Sequence, residues 1–232
     1  MAKSGKRYRA IAQKVGAGRI FGLADAVTFL KENSTCKFDE TIEVAINLNV
    51  DPRNADQNIR GMVAMPSGTG KQVRVAVFSR GIVADEASAA GADIVGAEDL
   101  AEKINAGEVN FDVCIASPDM MGIVGRLGKI LGPRGLMPNP KLGTVTSNVA
   151  AAVRNSKAGQ VEYRLDKSGI VHAGLCKVSF PGEKIEENVK AFVGAVMKAK
   201  PASVKGSYLK SVTISSSMGV GLTLSTSEVL SF

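Results

Sequence analysis

Leu23, Val27 and Leu30 recur at i, i+4 and i+7, which lays one apolar stripe along a helix that the pattern ends near Asn33. The rhythm then changes to alternation. In Thr41–Leu48 the residues Ile42, Val44, Ile46 and Leu48 fall on one side, the mark of a half-buried strand. Asp51-Pro-Arg-Asn54 follows as a turn. This first segment runs to about residue 67.

From about 68 to 158 strand and helix patterns take turns with short links. Val73–Phe78 predicts a strand, 84–90 an Ala-rich helix, Ala92–Val95 a short buried strand and 98–106 a helix with Leu100 and Ile104 at i, i+4. Phe111–Ala116 is again strand-like, and Pro118-Asp-Met-Met leads into a helix through Leu127 and Leu131. Such alternation predicts an open α/β sheet with helices on its faces. From about 159 hairpin-like strands return, as Val161–Leu165, the turn Asp166-Lys-Ser-Gly169, and Ile170–Ala173. A helix starts after Pro181-Gly182, with Glu183, Glu186 and Glu187 early and Lys198 and Lys200 late, a charge order that suits the helix dipole. Ile185, Val189, Val193, Val196 and Lys200 form its stripe, Pro201 stops it, and a last strand covers Val212–Ser215.

The outer segments share α+β character and the middle one is α/β, so an inserted domain is expected. Residues 1–67 and 159–232 would form a split α+β domain, with 68–158 inserted through two Gly-bearing links, Pro66–Gly70 and Lys157–Gln160. Two such links would act as a hinge.

Charge sharpens this picture. The net charge is +7, and it is sorted along the chain. Residues 1–24 hold Lys3, Lys6, Arg7, Arg9, Lys14 and Arg19 and no acid; 81–119 hold nine acids against Lys103 alone; 120–161 hold no acid, with Arg126, Lys129, Arg134, Lys141, Arg154 and Lys157 present. Basic surfaces for a phosphate backbone would explain the sorting; acids folded beside the bases would also explain it. The chain has one histidine, His172, no Trp and three scattered cysteines without a CxxC, which removes His-rich metal sites and a zinc knuckle. No apolar run approaches membrane-spanning length.

Gly68-Thr-Gly-Lys71 is half a phosphate-binding loop, but the first Gly of GxxxxGK[ST] would fall on Met65, Gln72 stands where Ser or Thr is needed, and a strand follows. No GxGxxG follows Val73–Phe78, and no helix-turn-helix is evident. Asp25, Asp39, Glu40 and Glu43 form no persuasive acid/base pair, so no catalytic constellation and no cofactor or metal site is expected. Three features suit RNA. The loop 125–143 places Arg126, Lys129, Arg134 and Lys141 among glycines and prolines, where exposed N–H groups and cations fit phosphates; it could equally be a structural loop with Leu131, Leu136 and Met137 as its core. Ser215-Ser-Ser-Met-Gly-Val-Gly221 offers hydroxyls, a flexible Met and close backbone approach, or else a β-bulge or turn. Lys37-Phe38 sets a cation beside an aromatic, unless Phe38 is core.

Gly132-Pro-Arg-Gly-Leu-Met-Pro-Asn-Pro-Lys141 resembles the signature of the L-one family of large-subunit ribosomal proteins, bacterial type. Phe38–Thr41, Asp51–Arg53, Asp56–Asn58, Gly70–Arg74, Ala90–Asp93, Lys157–Gly159, Phe180-Pro181 and Ser217–Gly219 fall in the same order, so the resemblance spans essentially the whole chain. It implies a split RNA-binding domain with an inserted Rossmann-like, three-layer α/β domain, and no enzymatic activity. It implies ribosomal RNA contacts at Lys37, Phe38, Thr41, Ser217, Met218 and Gly219, with a share from Arg164, Lys167 and His172. Arg126, Lys129, Arg134 and Lys141 would make secondary RNA or tRNA contacts. The family sits on the mobile lateral stalk beside the tRNA exit site, helps release deacylated tRNA, and in bacteria represses translation by binding the leader of its own operon messenger RNA. A cytoplasmic, ribosome-associated protein, monomeric when free and without a membrane partner, is therefore expected. Gly219-Val-Gly221 departs from the Gly-Pro-Ser of many relatives.

Overall fold

The computed structural model describes residues 5–16 and 18–229, so Lys3 lies outside the described residues. The chain divides into two compact units, Met1–Gly70 with Val161–Phe232, and Lys71–Gln160. In chain order the elements are α1 (Lys6–Val15), β1 (Ile20–Phe21), α2 (Leu23–Asn33), β2 (Thr41–Leu48) and β3 (Arg60–Ala64). The second unit follows with β4 (Val75–Phe78), α3 (Ile82–Ala89), β5 (Ile94–Gly96), α4 (Glu98–Asn105), β6 (Val113–Ala116), α5 (Met121–Arg126), α6 (Gly128–Leu131) and α7 (Val149–Lys157). Then come β7 (Gln160–Arg164), β8 (Ile170–Lys177), α8 (Gly182–Lys198), β9 (Leu209–Ser216), β10 (Leu222–Leu224) and α9 (Thr226–Val229).

The first unit is built on a five-stranded sheet of order β1-β10-β9-β2-β8, in which only β1 and β10 run parallel. The period of two in β2 carries the packing. Ile42, Val44, Ile46 and Leu48 are each at most 1% exposed, and full burial of such a side chain stabilises by roughly 1.5–3 kcal/mol. Val212 and Ile214 of β9 and Val171, Ala173 and Leu175 of β8 join them, beneath Leu23, Val27 and Leu30 of α2 and Ile185, Val189, Phe192, Val193 and Val196 of α8. Helix α8 ends two residues before Lys200, so that lysine is not part of its stripe. The opposite face of the sheet stays open. One row of the register runs across it as Ile20, Thr223, Thr213, Ala45 and His172.

The expected hairpin 161–173 is corrected. Strand β7 joins β3 in a separate two-stranded sheet, β8 joins β2, and among the described residues the antiparallel bridge Leu165–Val171 is what links the two. The turn itself forms, with Gly169 N–H donating to Asp166 O at 3.0 Å.

The second unit is a three-layer α/β arrangement around the parallel sheet β5-β4-β6. Alternation along β4 sends Ala76 and Phe78 toward a core shared with α4, α5 and α6, and Val75 and Val77 toward α3 and α7. Strand β4 starts at Val75 rather than Val73. Asp112 accepts the N–H of Arg74 at 3.2 Å and Asp93 that of Val75 at 2.8 Å, so side chains take the donors at the strand's entry.

The Pro66–Gly70 segment is not a loose link. Asn188, wholly buried on α8, accepts the Ser67 N–H at 3.1 Å and donates to Gly68 O at 2.9 Å, and Ser67 Oγ donates to Glu187. Gly70 has φ +71°, and a Cβ there would stand 2.8 Å from the Phe180 ring. The segment is fastened to the first unit, which is why that unit ends at Gly70 and not at residue 67. At the other crossing α7 is closed by Gly159 at φ +97°, the left-handed C-terminal stop that glycine provides without strain.

Candidate nucleic-acid interface

The chain between α2 and β2 wraps around one carboxylate. Glu40 is 2% exposed. It accepts from Ser34 Oγ at 3.1 Å and from the Met218 N–H at 3.1 Å, and Ser216 and Cys36 donate to it as well. Burial pushes this carboxyl upward, but the four hydrogen bonds outweigh burial and hold it down at about 2. The Cys36 thiol is raised, first by its bond to Glu40, and Arg7 of α1 donates to its sulfur at 2.9 Å.

Glu40 fixes a turn that is distant in sequence. Its neighbour Thr41 donates its N–H to Ser217 Oγ at 3.0 Å and accepts the Ser217 N–H at 3.0 Å. Gly219 closes the turn by donating its N–H to Ser216 O at 3.0 Å. A side chain at Gly219 would force Ser216 to move, because a Cβ there would collide with the Ser216 Oγ that Glu40 holds. Lys177 of β8 donates to Thr41 Oγ1 at 2.9 Å and to Asp39 O at 3.3 Å, completing the cluster.

Two large apolar side chains are left outside. Phe38 is 55% and Met218 51% exposed, and Lys37 beside Phe38 is exposed too. Phe38 is therefore not core, and the segment 217–219 forms the turn that the sequence leaves open beside a bulge. The structure brings Lys37, Phe38, Thr41, Ser217, Met218 and Gly219 to one end of the five-stranded sheet. It does not bring Arg164 and Lys167 there. Register pairs Thr41 with Lys177 and Asn47 with Ile170, so the Asp166–Gly169 turn lies at the opposite end, about 20 Å away at the usual rise per residue. His172 sits between, exposed on the open face beside Ala45.

In the second unit Arg126, Lys129, Arg134 and Lys141 are all exposed and make no ion pair among the described residues. Leu131 is buried while Leu136 and Met137 are partly buried against the same core, so the loop packs its apolar residues and still presents its cations. Arg126 shares a shallow cleft with Glu98 and Glu102, which tempers its charge. Lys157 does not stay free, since it pairs with Asp93 at 3.2 Å. Among the described residues there is no group of three metal-ligating side chains, and no helix is long and apolar enough to cross a membrane.

The model of the Ribosomal protein L1p/L10e family matches residues 30–220. The chain belongs to this family. As an L1p/L10e protein it is a ribosomal protein of the large subunit that binds RNA, in a family of structural RNA-binding proteins. The matched span contains the whole Glu40 cluster and the Ser217–Gly219 turn, and leaves α1 outside. The structural role of Glu40, and Ser34, Cys36 and Lys177 altogether, escape sequence reasoning in this L1p/L10e chain. The bonds that join the two halves of the site, Met218 to Glu40 and Thr41 to Ser217, span 178 and 176 residues, so no local pattern marks them.

Proposed function

We propose that the first unit grips a folded segment of large-subunit ribosomal RNA at the Lys37–Thr41 and Ser217–Gly219 end of its sheet. The supporting observation is the exposure of Phe38 and Met218 on a scaffold locked by Glu40. Exposed apolar groups on a rigid frame suit ribose and base packing, and the nearby Lys37 suits phosphate. The open face leads from there past His172 toward Arg164 and Lys167, which extend the contact. The second unit, an independent domain in this reading, offers Arg126, Lys129, Arg134 and Lys141 as secondary contacts for RNA or for tRNA. On the mobile stalk the protein then assists release of deacylated tRNA from the exit site. Binding a similar fold in its own operon messenger RNA leader makes it a translational repressor. It is cytoplasmic, monomeric when free, and performs no chemistry of its own. The test is titration of the full chain with a stalk fragment of ribosomal RNA and with duplex DNA of equal length. Binding that is selective for the RNA and weakens when Met218 becomes Ala supports the reading, and equal affinity for both nucleic acids refutes it.

A further inference from the structure

Strands β4 and β6 of the second unit run parallel and in register up to the pair Phe78 and Ala116. The next residue of each is a serine. The ladder continues through both, because the Ser117 N–H donates to Phe78 O at 2.9 Å and the Ser79 N–H to Gly96 O at 3.2 Å. Side chains two apart on a strand share a face, so Ser79 follows Val77 and Ser117 follows Ile115 onto the side that packs on α3 and α7. At the usual strand spacing the two residues stand side by side, about 5 Å apart. Ser79 is 2% and Ser117 8% exposed, and neither hydroxyl has a hydrogen-bond partner among the described residues. Buried hydroxyls are ordinarily bonded, so this pair points to a group that the chain itself does not supply.

Further donors adjoin the serines. Gly81 caps α3 without a side-chain hydrogen bond, and the first bonds of the helix run from the Ala84 and Asp85 N–H groups to Gly81 O. The N–H groups of Arg80, Gly81, Ile82 and Val83 have no acceptor among the described residues. The place in the topology agrees. Strands β5 and β6 flank β4 on opposite sides, so the strand order reverses at the carboxyl end of β4, where open α/β sheets bind their ligands.

We infer that Ser79, Ser117 and the first turn of α3 form a binding site for a phosphomonoester. The positive end of the helix favours an anion. The donors outnumber the two oxygens of a carboxylate or the two free oxygens of a phosphodiester, whereas a phosphomonoester brings three. No separate cation is required: Arg80 is already bonded to Glu98 at 2.6 Å, and the helix end supplies the field. Ile82, 78% exposed beside these N–H groups, offers apolar surface to the organic part of the ligand. Ser79 Oγ is closed to solvent, so the phosphate reaches it by displacing the exposed turn at Arg80 and Gly81. The site is independent of the RNA-binding reading above.

The experiment is a nuclear magnetic resonance titration of the full chain, labelled with ¹⁵N, with inorganic phosphate, adenosine monophosphate and adenosine as separate probes. Saturable shifts at the amides of 79–83 and 117, produced by both phosphates at millimolar concentration and not by adenosine, are expected. Tighter binding of the nucleotide supports a contact with Ile82, equal binding makes free phosphate the ligand, and either supports the site. Ser79→Ala weakens phosphate by about ten-fold, the loss expected for a hydrogen bond to a charged group. Its thermal unfolding midpoint stays level or rises, because it removes a buried hydroxyl without a partner. Ile82→Glu, an exposed substitution, weakens phosphate by repulsion and leaves the midpoint unchanged. Shifts confined to the cationic loop 126–141, no saturable shift at 79–83, or binding undiminished in both variants overturns the inference. Affinity for the stalk fragment of ribosomal RNA is unchanged in Ser79→Ala, so failure here leaves the RNA-binding reading standing.

Discussion

The carboxylate of Glu40 accepts the backbone N–H of Met218 at 3.1 Å, across 178 residues of sequence. That bond joins the loop before β2 to the turn after β9 and holds both in one geometry before any ligand arrives. A binding surface fixed in advance loses less entropy on association.

Glu40→Gln replaces a four-donor acceptor by a group whose NH₂ faces other donors. The expected loss of stability is about 1–3 kcal/mol, the cost of leaving buried donors unsatisfied. The sign with pH follows from the depressed carboxyl. Its value in the folded protein is about 2 against an ordinary 4.5, so its contribution is complete above 4.5 and disappears as the pH falls toward 2. Urea unfolding of wild type and Glu40→Gln over that range should show the two midpoints converging in acid.

Gly219→Ala drives a methyl into Ser216 Oγ and pushes that hydroxyl off Glu40. Overpacking of this kind costs about 1–3 kcal/mol, and RNA affinity should fall with it. The double variant Ser216→Ala/Gly219→Ala removes the colliding oxygen and should regain part of the loss in the same titration.

Lys37→Ala and Met218→Ala should both weaken RNA binding but differ in salt dependence. Removing a phosphate contact lowers the slope of log K against log salt by about 1. Removing Met218 should cost about 1–3 kcal/mol at every salt and leave the slope unchanged. Titrations at several salt concentrations separate the two.

Asn188→Ala strips partners from the Ser67 N–H and the Gly68 carbonyl, both held by a side chain that is wholly buried. The expected loss is about 2–4 kcal/mol, from two unsatisfied groups and a small cavity. Hydrogen exchange at the Ser67 amide should accelerate well beyond the global change.

Much of the fold was legible because its signals are local. Alternation in Thr41–Leu48 predicts β2 to the residue, and the 3.6-residue stripe of Leu23, Val27 and Leu30 places α2 and its end near Asn33. Helices α1 and α7 escape notice because charge and small residues masked their stripes, and the four-residue α9 is too short to show one. In α1 the pair Ile11 and Val15 sits inside a run read as basic, and in α7 Val149 and Val153 follow the capping residue Asn148, whose side chain accepts from the Ala151 N–H. Strand β8 runs on to Lys177 through Gly174, Leu175 and Cys176, where alternation breaks down. The site was legible only in part. Lys37 and Met218 stand out as candidate chemistry and Phe38 stays open between core and contact, whereas Glu40 looked like one more surface acid, because what defines it is a set of donors from both ends of the chain.

Hydrogen–deuterium exchange of the intact protein, with and without the stalk fragment of ribosomal RNA, addresses the central claim without altering a residue. Protection concentrated in segments 36–41 and 215–221 is the predicted result. Protection confined to 126–141, or none in the first unit, would contradict it.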